Sequence, residues 1–184
     1  LVSLTILVLL FYIYTPLLYL GLVLGALVLI YFLIQRQLGF MKEVLGAGLY
    51  CLGVMLPVIA FSKDSYYSLL SIPFILFFNI VLINLILFSW FDRDKDMKDN
   101  HTSLVVSLGP KVGRIVLTIL FVIQLAIAAY VYNSGIYYDL LIIFGLMYVV
   151  LLVIFLMAKW FATEDKYRLV GDAIFIIPLL HLLL

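Results

Sequence analysis

The chain has few charged residues and almost no cysteine. Charged side chains make up 11% of its 184 residues, hydrophobic ones make up 67%, and the mean hydropathy is +1.31. A soluble globular domain carries about a quarter charged residues, so this composition excludes a water-soluble enzyme and a disordered chain. The single cysteine, Cys51, excludes an internal disulfide and a metal site built from several cysteines. A net charge of +1 indicates no nucleic-acid partner.

Long apolar runs take the place of the missing charge. A membrane span needs about 20 apolar residues, because about 30 Å of hydrocarbon is crossed at 1.5 Å per residue. We predict an all-α, polytopic transmembrane helix bundle in which residues 1–184 form one domain. Its seven predicted spans cover residues 1–14, 17–34, 44–61, 69–91, 115–132, 140–158 and 169–184.

The start of the chain shows no targeting signal. The sequence opens with Leu1 inside an apolar run, without a Met, a basic segment or a small-residue cleavage site. A secretory signal peptide carries the latter two features. We therefore expect the chain to be a piece of a longer polypeptide.

The polar connections between the predicted spans fall into two groups of unequal charge. The first group comprises residues 35–42, 92–114 and 159–168, and the second comprises residues 15–16, 62–68 and 133–139. Ten of the 11 basic residues lie in the first group, and the second holds only Lys63. The positive-inside rule then places the first group on the cytoplasmic side of an integral, multi-pass membrane protein.

The segment that follows the fourth predicted span is unusually acidic. Residues 92–100 read DRDKDMKDN and include four aspartates. If the helix continues at about 100° per residue, Asp92, Asp96 and Asp99 share one face and Asp94 points to the opposite side. Stacked carboxylates repel one another, and Mg²⁺, which prefers carboxylate and phosphate oxygens, would remove that repulsion.

A second interpretation of residues 92–100 is a solvated loop at the membrane surface. Arg93, Lys95 and Lys98 alternate with the four aspartates, so the net charge of the segment is only −1. On composition alone this interpretation is favoured over a metal site.

Two segments together resemble a known family. Asp92-Arg93-Asp94-Lys95-Asp96, followed by Thr102-Ser103-Leu104 and Leu108-Gly109, resembles the second aspartate-rich motif of the UbiA-type intramembrane prenyltransferases. Tyr31-Phe32-Leu33-Ile34-Gln35-Arg36, followed by Leu45-Gly46-Ala47, resembles the family's Tyr-x-x-x-Lys-Arg segment and the start of its next helix. The chain departs from the family in two ways, since Gln35 replaces the lysine and the first aspartate motif is absent.

The resemblance implies a fold and a reaction. The seven predicted spans would correspond to helices 3–9 of a nine-helix bundle, so the domain would lack its first two helices. The activity would be that of a membrane-embedded prenyltransferase, which moves a prenyl group from a prenyl diphosphate to an aromatic or quinone-precursor acceptor through a Mg²⁺-assisted allylic carbocation. The partners would be the prenyl diphosphate, a lipophilic or aromatic acceptor and the lipid bilayer.

The same resemblance implies roles for individual residues. Asp92 and Asp96 would be catalytic and would hold Mg²⁺ together with Asp99. Arg36 and Lys98 would bind the diphosphate.

Two further residues would lie deeper in the membrane. Tyr31, about one turn below Arg36, and Asn84, near the edge of the aspartate face, would contact the prenyl chain or the acceptor.

Two other functions remain open. A non-catalytic UbiA-like membrane protein that binds a lipid or a partner is favoured by Gln35 and by the absent first motif. An unrelated transporter or channel would need acids deep in several spans, whereas only Asp172 clearly enters one. We expect Asp172 to pair with Arg168, four residues earlier on the same helix.

Overall fold

The regular secondary structure of the described residues is entirely helical. The computed structural model describes residues 15–61, 72–135 and 138–182. The predicted span at residues 1–14 lies outside this part. The elements in chain order are α1 (Thr15–Ile34), α2 (Met41–Phe61), α3 (Ile72–Lys98), α4 (Leu104–Leu108), α5 (Pro110–Ser134), α6 (Tyr138–Leu156), α7 (Ala158–Phe161), a 3₁₀ turn (Thr163–Asp165), α8 (Lys166–Ala173) and a C-terminal 3₁₀ segment (Ile174–Leu182).

Five of these helices, α1, α2, α3, α5 and α6, are long and apolar enough to cross a membrane. They coincide with the second to sixth predicted spans, and this confirms the all-α, multi-pass character inferred from the sequence. Thr15 and Pro16 form the first turn of α1 instead of a separate connection. A proline is tolerated there because the first amides of a helix have no intrahelical acceptor.

The seventh predicted span, residues 169–184, is not one long helix in its described part. The chain follows α-helical geometry over the eight residues of α8 and then 3₁₀ geometry over the nine residues of Ile174–Leu182. Pro178 lies inside the 3₁₀ segment. Because its ring removes an amide donor and collides with the carbonyl four residues earlier, proline disrupts a regular α-helix. The apolar run alone does not reveal this change of geometry.

Helix α3 is the centre of the described bundle. It packs against α2, α4, α5, α6 and α8, and its buried side chains include Ile80, Ile83 and Leu87. A hydrogen bond crosses to α5 where the amide of Asn79 donates to Gln124 Oε1 at 2.9 Å. Such polar pairs stabilise the packing of membrane helices.

The acidic segment is a continuation of α3 and not a loop. The helix runs seven residues beyond the predicted end of the span and stops at Lys98. Asn100 adopts a left-handed conformation with φ 53°, and the amide of His101 donates to the carbonyl of Asp96 at 2.8 Å. This pattern is a Schellman C-cap, which satisfies carbonyls at the end of the helix.

The three connections that are rich in basic residues meet at one end of the bundle. Thr102 Oγ1 donates to the carbonyl of Arg36 at 3.0 Å, and Lys42 Nζ donates to the carbonyl of Thr102 at 3.2 Å. Lys95 also forms an ion pair with Asp165 at 3.0 Å. Residues from all three predicted connections of the first group are therefore in contact, as an alternating arrangement of the long helices requires.

Candidate functional site

A cavity of about 200 Å³ lies at this charged end, and we call it the acidic cavity. Helices α1, α2 and α3 supply its walls. It is lined by Tyr31, Lys42, Glu43, Leu85, Phe88, Ser89, Asp92 and Asp96. Three carboxylates and one lysine therefore border a small space between three helices.

Two further cavities adjoin the acidic cavity. The outer cavity, of about 170 Å³, is lined by Gln35, Arg36, Lys42, Asp96, His101 and Thr102. The inner cavity, of about 450 Å³, is lined by Tyr31, Gly46, Tyr50, Val81, Asn84, Leu85, Phe88, Asp172 and Phe175. Lys42 and Asp96 border both the outer and the acidic cavities, and Tyr31 borders both the acidic and the inner ones. The three cavities thus form a series in which the lining changes from polar in the outer cavity to mainly apolar in the inner one.

Asp92 is the most heavily bonded side chain of the site. The residue is only 8% exposed. Its Oδ1 accepts a hydrogen bond of 2.6 Å from the hydroxyl of Tyr167, and its Oδ2 lies 2.8 Å from Nη2 of Arg168. A third group, Nζ of Lys95, lies 3.8 Å from Oδ1 of Asp92. Because a buried carboxylate is costly without partners, α8 stabilises the acidic end of α3.

The contacts with Asp92 shift the pKa values of its partners. Burial, together with the hydrogen bond to Asp92, raises the pKa of the Tyr167 hydroxyl above its usual range. The hydrogen bond to Asp92 also raises the pKa of the Arg168 guanidinium. Tyr167 therefore remains protonated and Arg168 remains charged at every physiological pH.

Of the three carboxylates that line the acidic cavity, Asp96 is the one without a partner among the described residues. It is half-buried and borders both the acidic and the outer cavities. Its side chain makes no hydrogen bond or ion pair with any residue of the described segments. Asp94 points away, as the helical register predicts, and forms an exposed pair with Arg93 at 3.1 Å. Asp96 is therefore the acid best placed to meet a ligand.

The other residues predicted from the sequence divide into two sets. Arg36 borders the outer cavity beside Asp96, and Tyr31 and Asn84 border the inner cavity. Lys98 and Asp99 are exposed at the end of α3 and border none of these three cavities. They lie past the part of α3 that packs against the other described helices.

Glu43 belongs to the site, although the sequence did not single it out. It is only 4% exposed, and its Oε1 accepts hydrogen bonds from Ser89 Oγ at 2.5 Å and from the amide of Leu104 at 3.0 Å. Its Oε2 is buried without a described partner. In the sequence it reads as an ordinary acid in the first turn of a helix, which the helix dipole favours. Only the neighbouring positions of α2, α3 and α4 reveal its burial.

Asp172 is not paired with Arg168, contrary to the expectation from their spacing. Arg168 binds Asp92, and Asp172 borders the inner cavity. An i, i+4 pair is weaker when the base precedes the acid. The more buried Asp92 also gains more from a cation than the exposed Asp172 does.

The fit of this site to Mg²⁺ can be judged from its carboxylates. No group of three or more His, Cys, Asp or Glu side chains converges in the described segments. Mg²⁺ at a substrate phosphate, however, needs only one or two protein carboxylates, with phosphate oxygens and water completing its shell. Asp96 offers an unpaired carboxylate. Asp92 would offer a second one if its ion pair with Arg168 opened. The donor set therefore fits a diphosphate-bridged ion better than an all-protein metal site.

Comparison with known proteins adds no family to these observations. No protein-family model, no curated protein and no solved structure matches this chain.

Proposed function

We propose that this chain belongs to the UbiA-type intramembrane prenyltransferases, with Asp92, Asp96, Arg36 and Tyr31 at its active site on the cytoplasmic side of the membrane. The observation that carries the proposal is the meeting of two separate sequence segments at one place. Tyr31 borders the acidic cavity together with Asp92 and Asp96, and Arg36 borders the adjoining outer cavity together with Asp96. These are the residues that the family resemblance selects.

The succession of cavities suits a molecule with an anionic head and an apolar tail. The outer and acidic cavities present charged and hydrogen-bonding groups, whereas Val81, Leu85, Phe88 and Phe175 line the inner one. A prenyl diphosphate has this chemistry. Apolar walls around its allylic carbon would also exclude water from a reactive cation.

The charges of the site indicate why a metal ion would be needed. Arg36 and Lys42 are balanced by Glu43 and Asp96, while Asp92 is already paired with Arg168. This leaves no surplus of positive charge for a diphosphate. Mg²⁺ held between Asp96 and the phosphates would supply that charge and stabilise the leaving diphosphate. Arg36 would bind the diphosphate from the end of α1, and Tyr31 would separate the head group from the tail.

A second candidate function is supported by the pairing of Asp92. Both of its oxygens are engaged by side chains of α8, so the site is self-neutralised without a metal. This arrangement would also serve a non-catalytic protein that binds a lipid with a charged head group. The two functions differ in whether Mg²⁺ and Asp96 are required for prenyl transfer.

The decisive experiment compares two aspartates of the same helix. The purified protein is placed in liposomes with prenyl diphosphates of several lengths and aromatic acceptors, with and without Mg²⁺. We expect Mg²⁺-dependent transfer that falls by about 100-fold in Asp96→Asn, since removal of one stabilising group from a transition state costs that order. The matched control is Asp94→Asn, whose side chain is 82% exposed and should leave the rate unchanged.

The possible outcomes separate the two candidates. Transfer that persists in Asp96→Asn or without Mg²⁺ would overturn the proposed mechanism. Absence of transfer, combined with binding of prenyl diphosphate that Asp96→Asn leaves unchanged, would favour the lipid-binding alternative. Asp92→Asn is a poorer test, because it also leaves Arg168 without its partner and can act through folding.

A further inference from the structure

A separate cavity of about 410 Å³ lies at the charged end of the bundle, and we call it the tryptophan cavity. On a helix that turns about 100° per residue, Trp90 faces about 160° away from Asp92. The cavity shares no lining residue with the outer, acidic and inner cavities, so it is not part of the proposed active site. Helices α3, α5, α6 and α7 contribute to its lining, which includes Trp90, Arg114, Phe155, Lys159 and Trp160.

Two basic side chains of the tryptophan cavity have no acidic partner among the described residues. Arg114 and Lys159 take part in none of the ion pairs of these segments, and no acid lines the cavity. Cζ of Arg114 lies instead 5.9 Å from the centre of the Phe155 ring. Glu164, a few residues after Lys159, is already paired with Lys166 at 3.6 Å. The two positive charges of the cavity therefore favour an anionic ligand.

The apolar part of the lining distinguishes a lipid from a dissolved anion. The rings of Trp90 and Phe155 lie 6.1 Å apart between their centroids. Leu156, Met157 and Trp160 also line the cavity, and each of them is more than half exposed. Exposed apolar side chains beside two cations suit a molecule that combines an anionic head with hydrocarbon chains. A dissolved phosphate would leave these side chains uncovered.

The position of the cavity along the chain indicates the depth at which it meets the membrane. Arg114 and Lys159 belong to two of the three basic connections that the positive-inside rule assigns to the cytoplasmic side. Tryptophan is enriched at the membrane–water interface, and both tryptophans of the chain line this cavity. Basic pockets between membrane helices on the cytoplasmic side bind the head groups of anionic lipids.

We infer that the tryptophan cavity binds an anionic phospholipid of the cytoplasmic leaflet. The phosphate of the lipid would pair with Arg114 and Lys159, and its acyl chains would lie against Leu156 and the two tryptophans. A zwitterionic phospholipid gains less from these charges, because its own cation already neutralises its phosphate. The inference does not depend on prenyl transfer.

The tryptophans of the cavity provide the signal for the test. The whole purified protein is placed in liposomes of phosphatidylcholine and phosphatidylglycerol, and one of the two lipids carries brominated acyl chains that quench the fluorescence of nearby tryptophans. The ratio of the two quenching curves gives the preference for phosphatidylglycerol. A basic side chain near the surface strengthens the binding of an anionic lipid by about fivefold, so we expect a preference of about 25-fold. It should fall to about fivefold in Arg114→Gln and in Lys159→Gln, and should be lost in the double variant.

Matched variants make the result specific to the cavity. Lys111→Gln removes an exposed charge three residues before Arg114 that does not border the cavity, and it should keep the preference. Arg114→Lys retains the charge and should retain most of the preference. Quenching by brominated phosphatidylcholine shows that the tryptophans of each variant remain beside lipid. If the double variant fails to fold, the two single variants provide the same comparison.

Three results would overturn the inference. The first is an equal preference for phosphatidylglycerol in the unmodified protein and in the double variant. The second is an equal loss in Lys111→Gln and Arg114→Gln, which would mean that the general charge of the surface attracts the lipid. The third is displacement of brominated phosphatidylglycerol by glycerol 3-phosphate, or by farnesyl diphosphate, more effectively than by the unbrominated lipid. That result would assign the cavity to a different phosphate compound.

Discussion

The carboxylate of Asp92 is shared between two consecutive residues of α8. Tyr167 donates to Oδ1 at 2.6 Å, and Arg168 lies 2.8 Å from Oδ2. The ring of Tyr167 also stacks on Phe91 with centroids 4.3 Å apart. The last part of the chain is thereby attached to the acidic end of α3 by both polar and aromatic contacts.

Tyr167→Phe isolates the hydrogen bond to Asp92, because it keeps the ring on Phe91. We expect the free energy of unfolding in detergent to fall by about 1.5–3 kcal/mol, the range for a hydrogen bond to a charged group. The control is Tyr130→Phe, which removes a hydroxyl from a residue that is exposed on α5 and should leave stability unchanged. Equal unfolding midpoints for the Tyr167 variant and the unmodified protein would show that the bond contributes nothing.

The ion pair between Lys95 and Asp165 predicts a pH dependence. The hydrogen bond from Lys95 lowers the pKa of the exposed Asp165 carboxyl below its ordinary value of 3.8. A depressed pKa in the folded state favours folding above the ordinary value, and this contribution is lost as the pH falls through the depressed one. We expect Lys95→Met to raise the pKa of Asp165 towards 3.8 in an NMR titration. An unchanged titration curve would mean that the pair does not form in solution.

Glu43 joins three helices and should be important for stability. Its Oε1 accepts from Ser89 on α3 and from Leu104 at the start of α4. Hydrogen bonds to a charged group contribute about 1.5–3 kcal/mol each, so Glu43→Ala should lower the unfolding midpoint strongly. Glu164→Ala, at a side chain that is 83% exposed, is the control and should have little effect. A small loss in Glu43→Ala would contradict the structural role of these two bonds.

Gly171 marks a close approach between α8 and α3. A Cβ atom at this position would lie 2.6 Å from Cε1 of Phe88 and 2.7 Å from Oδ1 of Asn84. We expect Gly171→Ala to destabilise the protein by about 1–3 kcal/mol, the usual cost of overpacking. Gly145→Ala is the matched control on α6, where an added Cβ meets no atom within 4 Å. It should be neutral or stabilising, since alanine is the better helix former, and thermal unfolding of both variants measures the difference.

The features that repeat along the sequence were predictable. Apolar runs located the five long helices, and the 100° turn of an α-helix correctly separated Asp94 from Asp92 and Asp96. Local periodicity was sufficient in these cases because each feature lies within one helix.

The partners of these residues were not predictable, because they depend on how distant helices pack. Arg168 is only four residues from Asp172 in the sequence, but in the fold it forms an ion pair with Asp92. Glu43 became notable only once α3 and α4 buried it. The change to 3₁₀ geometry at Ile174 also escaped the sequence pattern, since hydropathy does not distinguish the two kinds of helix.

The length of α3 determines the two environments that its residues meet. At 1.5 Å per residue, the 27 residues of this helix extend for about 40 Å, which exceeds a hydrocarbon layer of about 30 Å. If α3 crosses a bilayer with this surplus at its C-terminal end, about two turns carry the aspartates into the layer of lipid head groups, while Asn79 and Asn84 lie at the depth of the acyl chains. One helix would therefore connect a region that dissolved ions can enter with a region that only apolar molecules can reach. An amphiphile resting against α3 would keep its ordinary depth in the bilayer, so neither of its ends would have to change solvent on binding.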